Sequence, residues 1–213
     1  MNYDSVPLRD FKELNDWETV IFVYQSALKQ VETKIDILNG EFQHRHKYNP
    51  IEHVKSRIKT PESIVKKLKR HGYESSIENM VRYVNDIAGI RISCSFTSDI
   101  YLIADMISKQ NDLTILARRD YMKNPKKNLP RAIIMCMLPV FLSDSIIDTK
   151  VEIQIRTVAQ DFWATLEHKM HYKFEGDGPD YITKELRECA RYVAELDTRM
   201  EELNNEIQKY GKL

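Results

Sequence analysis

The segment from residue 150 to residue 156 constrains the fold more than any other part of this 213-residue chain. Aliphatic side chains alternate there with an acid, an amide and a guanidinium: Val151, Ile153 and Ile155 with Glu152, Gln154 and Arg156. A period of two is that of a β-strand with one buried face. The chain must therefore build a sheet that is covered on one side and carries polar groups on the other.

Further strands are predicted in the middle of the chain. From residue 90 onward, Ile90, Ile92, Cys94 and Phe96 alternate with Arg91, Ser93 and Ser95. Shorter strands are predicted at 113–117 and 132–138, and a helix at 100–109. Strands with intervening helices predict an α+β fold with a mixed sheet.

Both ends of the chain are predicted to be long helices. An apolar seam with spacings of three and four comprises Leu14, Trp17, Ile21, Tyr24, Leu28, Val31, Ile35 and Leu38. A regular heptad seam comprises Ile182, Leu186, Cys189, Val193, Leu196, Met200, Leu203 and Ile207. Such a seam packs either on the protein's own core or on another helix in self-association, for which the N-terminal seam is the natural partner.

Two shorter helices complete the prediction. Thr60 and Pro61 are favourable starting residues for a helix over 61–69, and Gly72 is a plausible stop. A helix over 158–174 carries Trp163 and an apolar stripe that we expect to face the core, formed by Phe162, Leu166 and Met170.

Composition excludes several classes of protein. The chain has 32 Lys+Arg and 32 Asp+Glu, with 42% hydrophobic residues, which is unlike a disordered or histone-like chain. Its three cysteines have no CxxC spacing, so a disulfide framework or zinc site is not expected.

Neither a signal-peptide pattern nor an apolar run of membrane-spanning length is present, and we expect a cytoplasmic protein without membrane contact. Six glycines argue against a Gly-rich phosphate loop.

The balanced charge hides two basic clusters. One contains Lys55, Arg57, Lys59, Lys66, Lys67, Lys69, Arg70 and His71, and the other contains Arg118, Arg119, Lys123, Lys126, Lys127 and Arg131. One such run alone is usually a solvated helix face. Two of them flanking a strand with acidic residues favour polyanion binding, for which nucleotide and RNA phosphates both fit.

Three carboxylates are candidate functional groups. Asp86 precedes the Ile90 strand, and if that strand neighbours the 150–156 strand, Asp86 and Glu152 could together hold Mg²⁺ with substrate phosphates. Glu152 and Arg156 lie about 13–14 Å apart along the strand, so each needs another partner. Asp161 shares a helix face with Thr165, His168 and Tyr172. It could accept hydrogen bonds from guanine, or merely stabilise the helix N-terminus.

Six short motifs in order resemble a known family. They are Asn49-Pro50-Ile51-Glu52-His53, Ser56-Arg57-Ile58-Lys59, Asp86-Ile87-Ala88-Gly89-Ile90-Arg91, Glu152-Ile153-Gln154-Ile155-Arg156-Thr157, Phe162-Trp163-Ala164 and Glu167-His168-Lys169. This series resembles the small alarmone synthetases, which are single-domain GTP pyrophosphokinases of bacteria. The resemblance covers nearly the whole chain. It implies a helical arm (1–48), a nucleotidyltransferase-like synthetase core (49–175) and a C-terminal oligomerisation helix (176–213).

The resemblance also implies the reaction and its residues. The family transfers pyrophosphate from ATP to the 3′-OH of GTP or GDP with Mg²⁺, in the bacterial stringent response, and its members form homotetramers. The implied ATP-binding residues are Arg57, Lys59, Ser63, Lys67, Arg70 and Arg91. The implied GTP-binding residues are Lys126, Arg131, Gln154, Arg156, Asp161 and His168. Asp86 and Glu152 would hold the metal, and Glu152 would act as the base.

One segment departs from the family pattern. Where the family has a sequence close to Asn-Gly-Tyr-Arg-Ser-Leu-His, this chain has Asn128-Leu129-Pro130-Arg131-Ala132-Ile133-Ile134. The replaced tyrosine stacks on the acceptor guanine in the family, and its loss implies acceptor binding weaker by about tenfold to a hundredfold.

Three explanations of this departure remain open. They are a degenerate or regulatory paralogue, an acceptor pocket shifted to Tyr121, and a local error in the sequence. The alternative function is therefore a catalytically impaired, nucleotide- or RNA-binding oligomer. A plain RNA-binding module ranks last, because the sequence has no RNA-binding motif with interleaved aromatic residues.

Overall fold

The computed structural model describes residues 16–45, 48–122, 131–173 and 180–210. Its elements are α1 (Trp17–Arg45), β1 (Ile51–Ile58), α2 (Pro61–Arg70), α3 (Ile77–Tyr83), β2 (Ala88–Cys94), α4 (Thr97–Ser108), β3 (Thr114–Asp120), β4 (Ala132–Phe141), β5 (Ile146–Thr157), α5 (Val158–Lys173) and α6 (Asp180–Tyr210). The predicted α+β class, with a mixed sheet and long helices at both ends, is confirmed.

The five strands form one sheet in the order β1-β2-β5-β4-β3. Strand β2 runs parallel to β5, while the β1–β2, β4–β5 and β3–β4 pairs are antiparallel. The two most strongly alternating segments of the sequence are thus neighbours, and Gly89 lies opposite Glu152 in the β2–β5 register. Asp86 therefore precedes a strand that is paired with the strand carrying Glu152.

The two faces of the sheet differ as the alternation predicts. Val151, Ile153 and Ile155 of β5 are fully buried in a core shared with α1 and α4. The intervening polar residues of β5 face the other side of the sheet, which is the side that carries the candidate site. Packing thus fixes the strands from one face and leaves the opposite face for chemistry.

Helix α1 uses its apolar seam within the protomer. Tyr24, Leu28, Val31, Ile35 and Leu38 are buried in the same core as the sheet strands. The expectation that this seam pairs with the C-terminal heptad seam was therefore wrong. The apolar face of the sheet must be shielded from water, and α1 packs against it.

Helices α5 and α6 pack on each other through a small apolar cluster. Trp163 and Ala164 of α5 form a small cluster with Ala190 of α6, and the Trp163 indole N–H donates to the Leu186 carbonyl at 3.1 Å. The predicted core stripe of α5 was wrong, because Phe162 is 64% exposed and Leu166 and Met170 are also exposed. Leu196, Met200, Leu203 and Ile207 of α6 are exposed as well.

Strand β1 and helix α3 were not predicted. Ile51, Val54 and Ile58 are spaced three and four apart, which imitates a helix. The register of β1 shifts between Ile51 and His53, and this bulge breaks the strand's period of two. An edge strand also needs fewer buried side chains, so its pattern is weaker.

The predicted helix α2 is confirmed. The Thr60 hydroxyl caps it by accepting from the Ser63 N–H at 3.3 Å, and Pro61 occupies the first turn. Gly72 follows the helix with φ of +77°, a left-handed conformation that favours glycine. No helix in the described part of the chain is long and apolar enough to cross a membrane.

Candidate functional site

A cavity of about 220 Å³ lies on the polar face of the sheet. Three strands and the turn before β2 line it with Lys55, Ser56, Arg57, Asp86, Gly89, Ile90, Arg91, Glu152 and Gln154. Because β2 lies between β1 and β5, the three strands bring residues that are about a hundred positions apart in the sequence into one wall. We refer to this as the first cavity.

Asp86 lies between two lysines. The Lys59 ammonium donates to one carboxylate oxygen and the Lys67 ammonium donates to the other, each at 2.7 Å. Burial by itself would raise the pKa of Asp86, but the two charged hydrogen bonds outweigh it and lower that pKa to about 2. Asp86 is thus ionised at every physiological pH. It also fixes the side chains of Lys59 and Lys67, which are candidate phosphate-binding residues.

The Asp86 cluster predicts a pH-dependent stability. The folded-state pKa lies below the ordinary value, so the stabilisation is complete above about pH 4 and is lost as the pH falls towards 2. Asp86→Asn is expected to lower the free energy of unfolding by about 2 kcal/mol at pH 7, since the amide leaves two ammonium groups uncompensated. Urea unfolding of both proteins from pH 7 to pH 2.5 measures the difference and its decline to less than half.

Asp112→Asn is the matched control for this measurement. Asp112 pairs with Lys34 at an exposed position outside the cavity, where an ion pair contributes at most about 1 kcal/mol. An Asp86→Asn protein as stable as the wild type at pH 7 would contradict the account of this cluster.

Glu152 stands at the end of a hydrogen-bonded row along β5. The Gln154 amide donates to a Glu152 carboxylate oxygen at 2.6 Å, and the Arg156 guanidinium donates to the Gln154 carbonyl oxygen at 2.7 Å. Arg156 therefore fixes the orientation of the Gln154 amide. The prediction that Glu152 and Arg156 each need another partner is confirmed, since Gln154 serves both.

Asp161 is surrounded by basic side chains. One oxygen accepts from Arg91 at 3.0 Å and lies 3.6 Å from an Arg156 nitrogen, and the other oxygen lies 3.7 Å from the Lys55 ammonium. The residue is only 7% exposed, in the first turn of α5. Its carboxylate thus has one hydrogen bond, to Arg91, and two longer ion pairs, to Arg156 and Lys55.

Positive charge exceeds negative charge in this region. Burial, followed by repulsion from Arg91 and Arg131, lowers the pKa of Arg156 to about 9, so it remains protonated at pH 7. Among the described residues, the buried Nε atoms of Arg91, Arg131 and Arg156 have no hydrogen-bond partner. Buried donors of this kind favour an anionic ligand.

A second cavity of about 300 Å³ adjoins the first across Glu152. It is lined by Lys67, Asn85, Ala117, Arg119, Ile133, Met135 and Glu152. Below it, the buried Lys150 donates to Asn85 at 2.7 Å, and burial lowers the pKa of Lys150 to about 8. Glu152 and Lys67 line or border both cavities, so groups bound in the two cavities would meet at these residues.

Tyr121 lies beyond this second cavity, directly after β3. Its hydroxyl accepts from Arg119 at 3.3 Å, and the Arg131 guanidinium lies 5.5 Å from the centre of its ring. Arg119 lines the second cavity. An aromatic ring held by two arginines is therefore present on the side of Glu152 opposite to the first cavity.

The other predicted site residues lie outside the two cavities or outside the described residues. Ser63 and Arg70 are exposed on α2 and line neither cavity, and His168 is exposed on α5. Lys126 lies outside the described residues, as do Leu129 and Pro130. Ile134 is fully buried on the helix-covered face of the sheet, while its neighbours Ile133 and Met135 line the second cavity. A side chain at position 134 thus points away from both cavities.

Sequence reasoning did not single out several lining residues. In the sequence, Lys55 and Arg119 stand out only as members of basic clusters, Gly89 only as part of the Asp86–Arg91 motif, and Asn85 not at all. The signal that could have found Lys55 is the alternation of β1, which its bulge concealed. Gly89 lies where an added Cβ would contact Arg57 at 4.0 Å, so a larger residue there would narrow the first cavity.

The donor set fits a hard divalent cation that is shared with a substrate. Asp86 and Glu152 both line the first cavity, and the described residues contain no group of three or more acidic, His or Cys side chains suited to a metal. Mg²⁺ is commonly held by one or two carboxylates, with phosphates and water as its other ligands. A dedicated protein cage of the zinc or calcium type does not match this arrangement.

The fold and the two cavities define the class of protein. A mixed sheet with two adjoining basic cavities and a pair of carboxylates provides the charged groups that an enzyme needs to transfer phosphoryl or pyrophosphoryl groups. The comparisons with known proteins make this class more specific.

A sequence signature described as a region found in RelA and SpoT proteins matches residues 56–177. GTP pyrophosphokinase YwaC of Bacillus subtilis is 43% identical over 195 residues, which cover 91% of this chain and 93% of that protein. The crystal structure of small alarmone synthetase 2 from B. subtilis is 42% identical, with a TM-score of 0.82 over 90% of this chain and 100% of that chain. Small alarmone synthetase 1 from B. subtilis, solved with its product pppGpp, gives a TM-score of 0.84 at 30% identity over 90% and 98% of the two chains.

The chain therefore belongs to the RelA/SpoT family, within its group of small alarmone synthetases. The resemblance seen in the six motifs is confirmed.

Proposed function

We propose that this protein transfers a pyrophosphoryl group from ATP to the 3′-OH of GTP or GDP, releasing AMP. The observation that carries the proposal is the position of Glu152, which lines both cavities. A residue that lines two adjoining cavities can accept a proton from a hydroxyl in one cavity while that hydroxyl attacks a phosphorus atom in the other. The relatives' names and the pppGpp-bound structure support the same reaction.

ATP is assigned to the first cavity. Arg57 on β1 and Arg91 on β2 line it, and planar guanidinium groups stack on a purine base. Lys59 and Lys67, now bonded to Asp86, lie where they can turn to the polyphosphate. Ser63 and Arg70 on α2 line neither cavity, so we assign them only a secondary contribution to phosphate binding.

GTP or GDP is assigned to the second cavity and to the ring of Tyr121. Arg119, Arg131 and Arg156 supply the positive charge that a di- or triphosphate requires. Tyr121 supplies the aromatic face that the family's missing tyrosine would have supplied. Of the three explanations for the departure at residues 128–134, this contact geometry favours the shifted acceptor pocket.

Asp86 and Glu152 are assigned to Mg²⁺. When bound, the ion would neutralise charge on the transferring phosphates. Lys59 and Lys67, which now donate to Asp86, would be available to phosphate oxygens in a complex in which Asp86 held the ion. Gln154, turned by Arg156, donates to one Glu152 oxygen and holds the carboxylate in place for the proton.

The proposed reaction forms one bond and breaks one bond at the β-phosphorus of ATP. The 3′-oxygen of the acceptor bonds to the β-phosphorus of ATP, and the bond from that phosphorus to the α–β bridging oxygen breaks. AMP leaves with the bond's electron pair, and the 3′-OH proton passes to the Glu152 carboxylate. Positioning and charge neutralisation account for most of the catalysis in reactions of this type.

Incubation with ATP, Mg²⁺ and either GTP or GDP tests the function. Ion-exchange separation should yield AMP and a guanosine nucleotide with two added phosphates in equal amounts. The matched acceptor 3′-deoxy-GTP should yield neither, because it lacks the attacking hydroxyl. Absence of product at millimolar GTP and GDP would overturn the proposal and leave the non-catalytic nucleotide-binding oligomer as the account.

We further infer that the protein is a homo-oligomer, with a tetramer as the proposed state. Leu196, Met200, Leu203 and Ile207 form an exposed apolar seam on α6, and Phe162 and Leu166 extend the exposed apolar surface on α5. Contiguous exposed apolar surface of this kind marks an interaction site. The N-terminal seam is already buried from Tyr24 to Leu38, so we assign the partner surface to α5 and α6.

Light scattering tests the oligomer directly. The wild type is expected to show four times the mass of the 25.1 kDa chain. Leu203→Lys should shift the mass towards the monomer, because a charge replaces an apolar contact, whereas Lys184→Glu at an exposed position off the seam should not. A wild-type mass near 25 kDa at micromolar concentration would contradict the inference.

A further inference from the structure

Asp161 is a buried acidic residue that has no role in the proposed reaction. Its two oxygens face Arg91 at 3.0 Å, Arg156 at 3.6 Å and Lys55 at 3.7 Å. Arg91 and Lys55 line the first cavity, whereas Asp161 lies behind them and does not. The carboxylate thus connects the start of α5 to the wall of the proposed ATP site.

The arrangement is unsuited to reading a guanine base. Such reading requires carboxylate oxygens that are free to accept from the N1–H and the 2-amino group. Here the side chain of Asp161 is only 10% exposed, and both oxygens are turned to protein cations. A base would have to break the Arg91 hydrogen bond to one oxygen and compete with Lys55, 3.7 Å from the other.

We propose that Asp161 is a positioning residue for ATP: it holds the Arg91 guanidinium in place at the first cavity. Arg91 donates to Asp161 through a terminal nitrogen at 3.0 Å, and its buried Nε has no hydrogen-bond partner among the described residues, so the bond to Asp161 fixes the guanidinium. Without a fixed partner, a long and flexible side chain loses conformational freedom each time it stacks on a base, which weakens binding. This inference rests on the proposed function only in assigning ATP to the first cavity.

The inference predicts a separation of kinetic effects. Loss of the carboxylate should raise the KM for ATP, because Arg91 is no longer held. The kcat should change little, because Arg156 keeps its direct bond to Gln154, and Gln154 keeps its bond to Glu152. The KM for GTP should change much less than the KM for ATP, since Arg156 lies 3.6 Å from Asp161 and keeps its bond to Gln154.

The experiment compares Asp161→Ala and Asp161→Asn with the wild type in steady-state kinetics. We expect the KM for ATP to rise about tenfold in Asp161→Ala and less in Asp161→Asn, whose amide oxygen still accepts from Arg91. A double-mutant cycle with Arg91→Ala should show that removal of Asp161 has no added effect once Arg91 is absent. Asp112→Asn, which removes an ion pair outside both cavities, is the control.

Acceptor selectivity distinguishes this role from guanine recognition. Inosine triphosphate lacks the 2-amino group, so a residue that reads guanine sets the ratio of kcat/KM for GTP to that for ITP. The ratio is expected to be the same in the wild type and both variants. A ratio that falls towards one in Asp161→Ala, or an unchanged KM for ATP in that variant, would overturn the proposal.

Binding without turnover separates the inference from the proposed function. A non-hydrolysable ATP analogue is titrated calorimetrically into the wild type and both variants. Weaker binding to Asp161→Ala than to Asp161→Asn would support the positioning role even if the wild type made no product. Equal binding to all three proteins would overturn that role even if the wild type were active.

Discussion

Glu152→Gln is expected to lower kcat by about 10²- to 10⁴-fold, the usual contribution of a general base. Gln cannot accept the 3′-OH proton, and its neutral amide is a weaker metal ligand than a carboxylate. The substitution nearly preserves shape, so the contact with Gln154 and the β5 register should remain. Rates of AMP release with saturating ATP and GTP measure the effect, and the melting temperature verifies folding.

Glu188→Gln is the matched control for this variant. Glu188 is an exposed residue of α6 that pairs with Arg191. It lines neither cavity, and its substitution should leave kcat unchanged. A Glu152→Gln enzyme that retained more than about a tenth of the wild-type kcat would refute the assignment of Glu152 as the base.

Tyr121→Ala is expected to raise the KM for GTP by about tenfold to a hundredfold. Removal of the ring takes away the proposed stacking face, and base–aromatic stacking contributes about 1–3 kcal/mol. The variant also leaves Arg119 and Arg131 without the hydroxyl and the ring that they contact. Steady-state kinetics at saturating ATP provide the measurement.

Tyr121→Phe is the control that separates the ring from the hydroxyl. It keeps the stacking face and loses only the bond to Arg119, so its KM for GTP should stay within a fewfold of the wild-type value. If Tyr121→Ala raised the KM for ATP instead, or left both KM values unchanged, the shifted acceptor pocket would be refuted.

The sheet could be predicted from the sequence where burial is one-sided and unbroken. Strand β5 alternates without interruption, and its apolar residues contact the α1 and α4 side of the core. Strand β1 could not be predicted, because one bulge near Ile51 gives it helix-like spacing. The alternation reports which side of a strand is buried, and a single inserted residue is enough to conceal it.

Apolar spacing does not reveal what covers a helix. The seam of α1 and the seam of α6 look alike in the sequence, yet Val31 is 1% exposed and Ile207 is 68% exposed. Periodicity gives the direction of an apolar face but not the identity of the surface against it. The stripe containing Phe162 was misassigned to the core for the same reason.

Part of the site followed from the sequence and part did not. The proximity of Asp86 and Glu152 required only that β2 and β5 be neighbours, which they are. The partners of Asp161 could not be predicted, because they come from β1, β2 and β5 and are joined only by the strand order. Long-range ion pairs depend on topology, which no local pattern in one sequence specifies.

The fate of the β-phosphorus of ATP tests the central claim most directly. ATP labelled at that atom is incubated with GTP and Mg²⁺, and the nucleotides are separated. Pyrophosphoryl transfer predicts that the label enters the guanosine nucleotide and that unlabelled AMP appears in equal amount. A label that remained in ADP would show ordinary phosphoryl transfer, and a label that remained in ATP would show no reaction; either result would contradict the account.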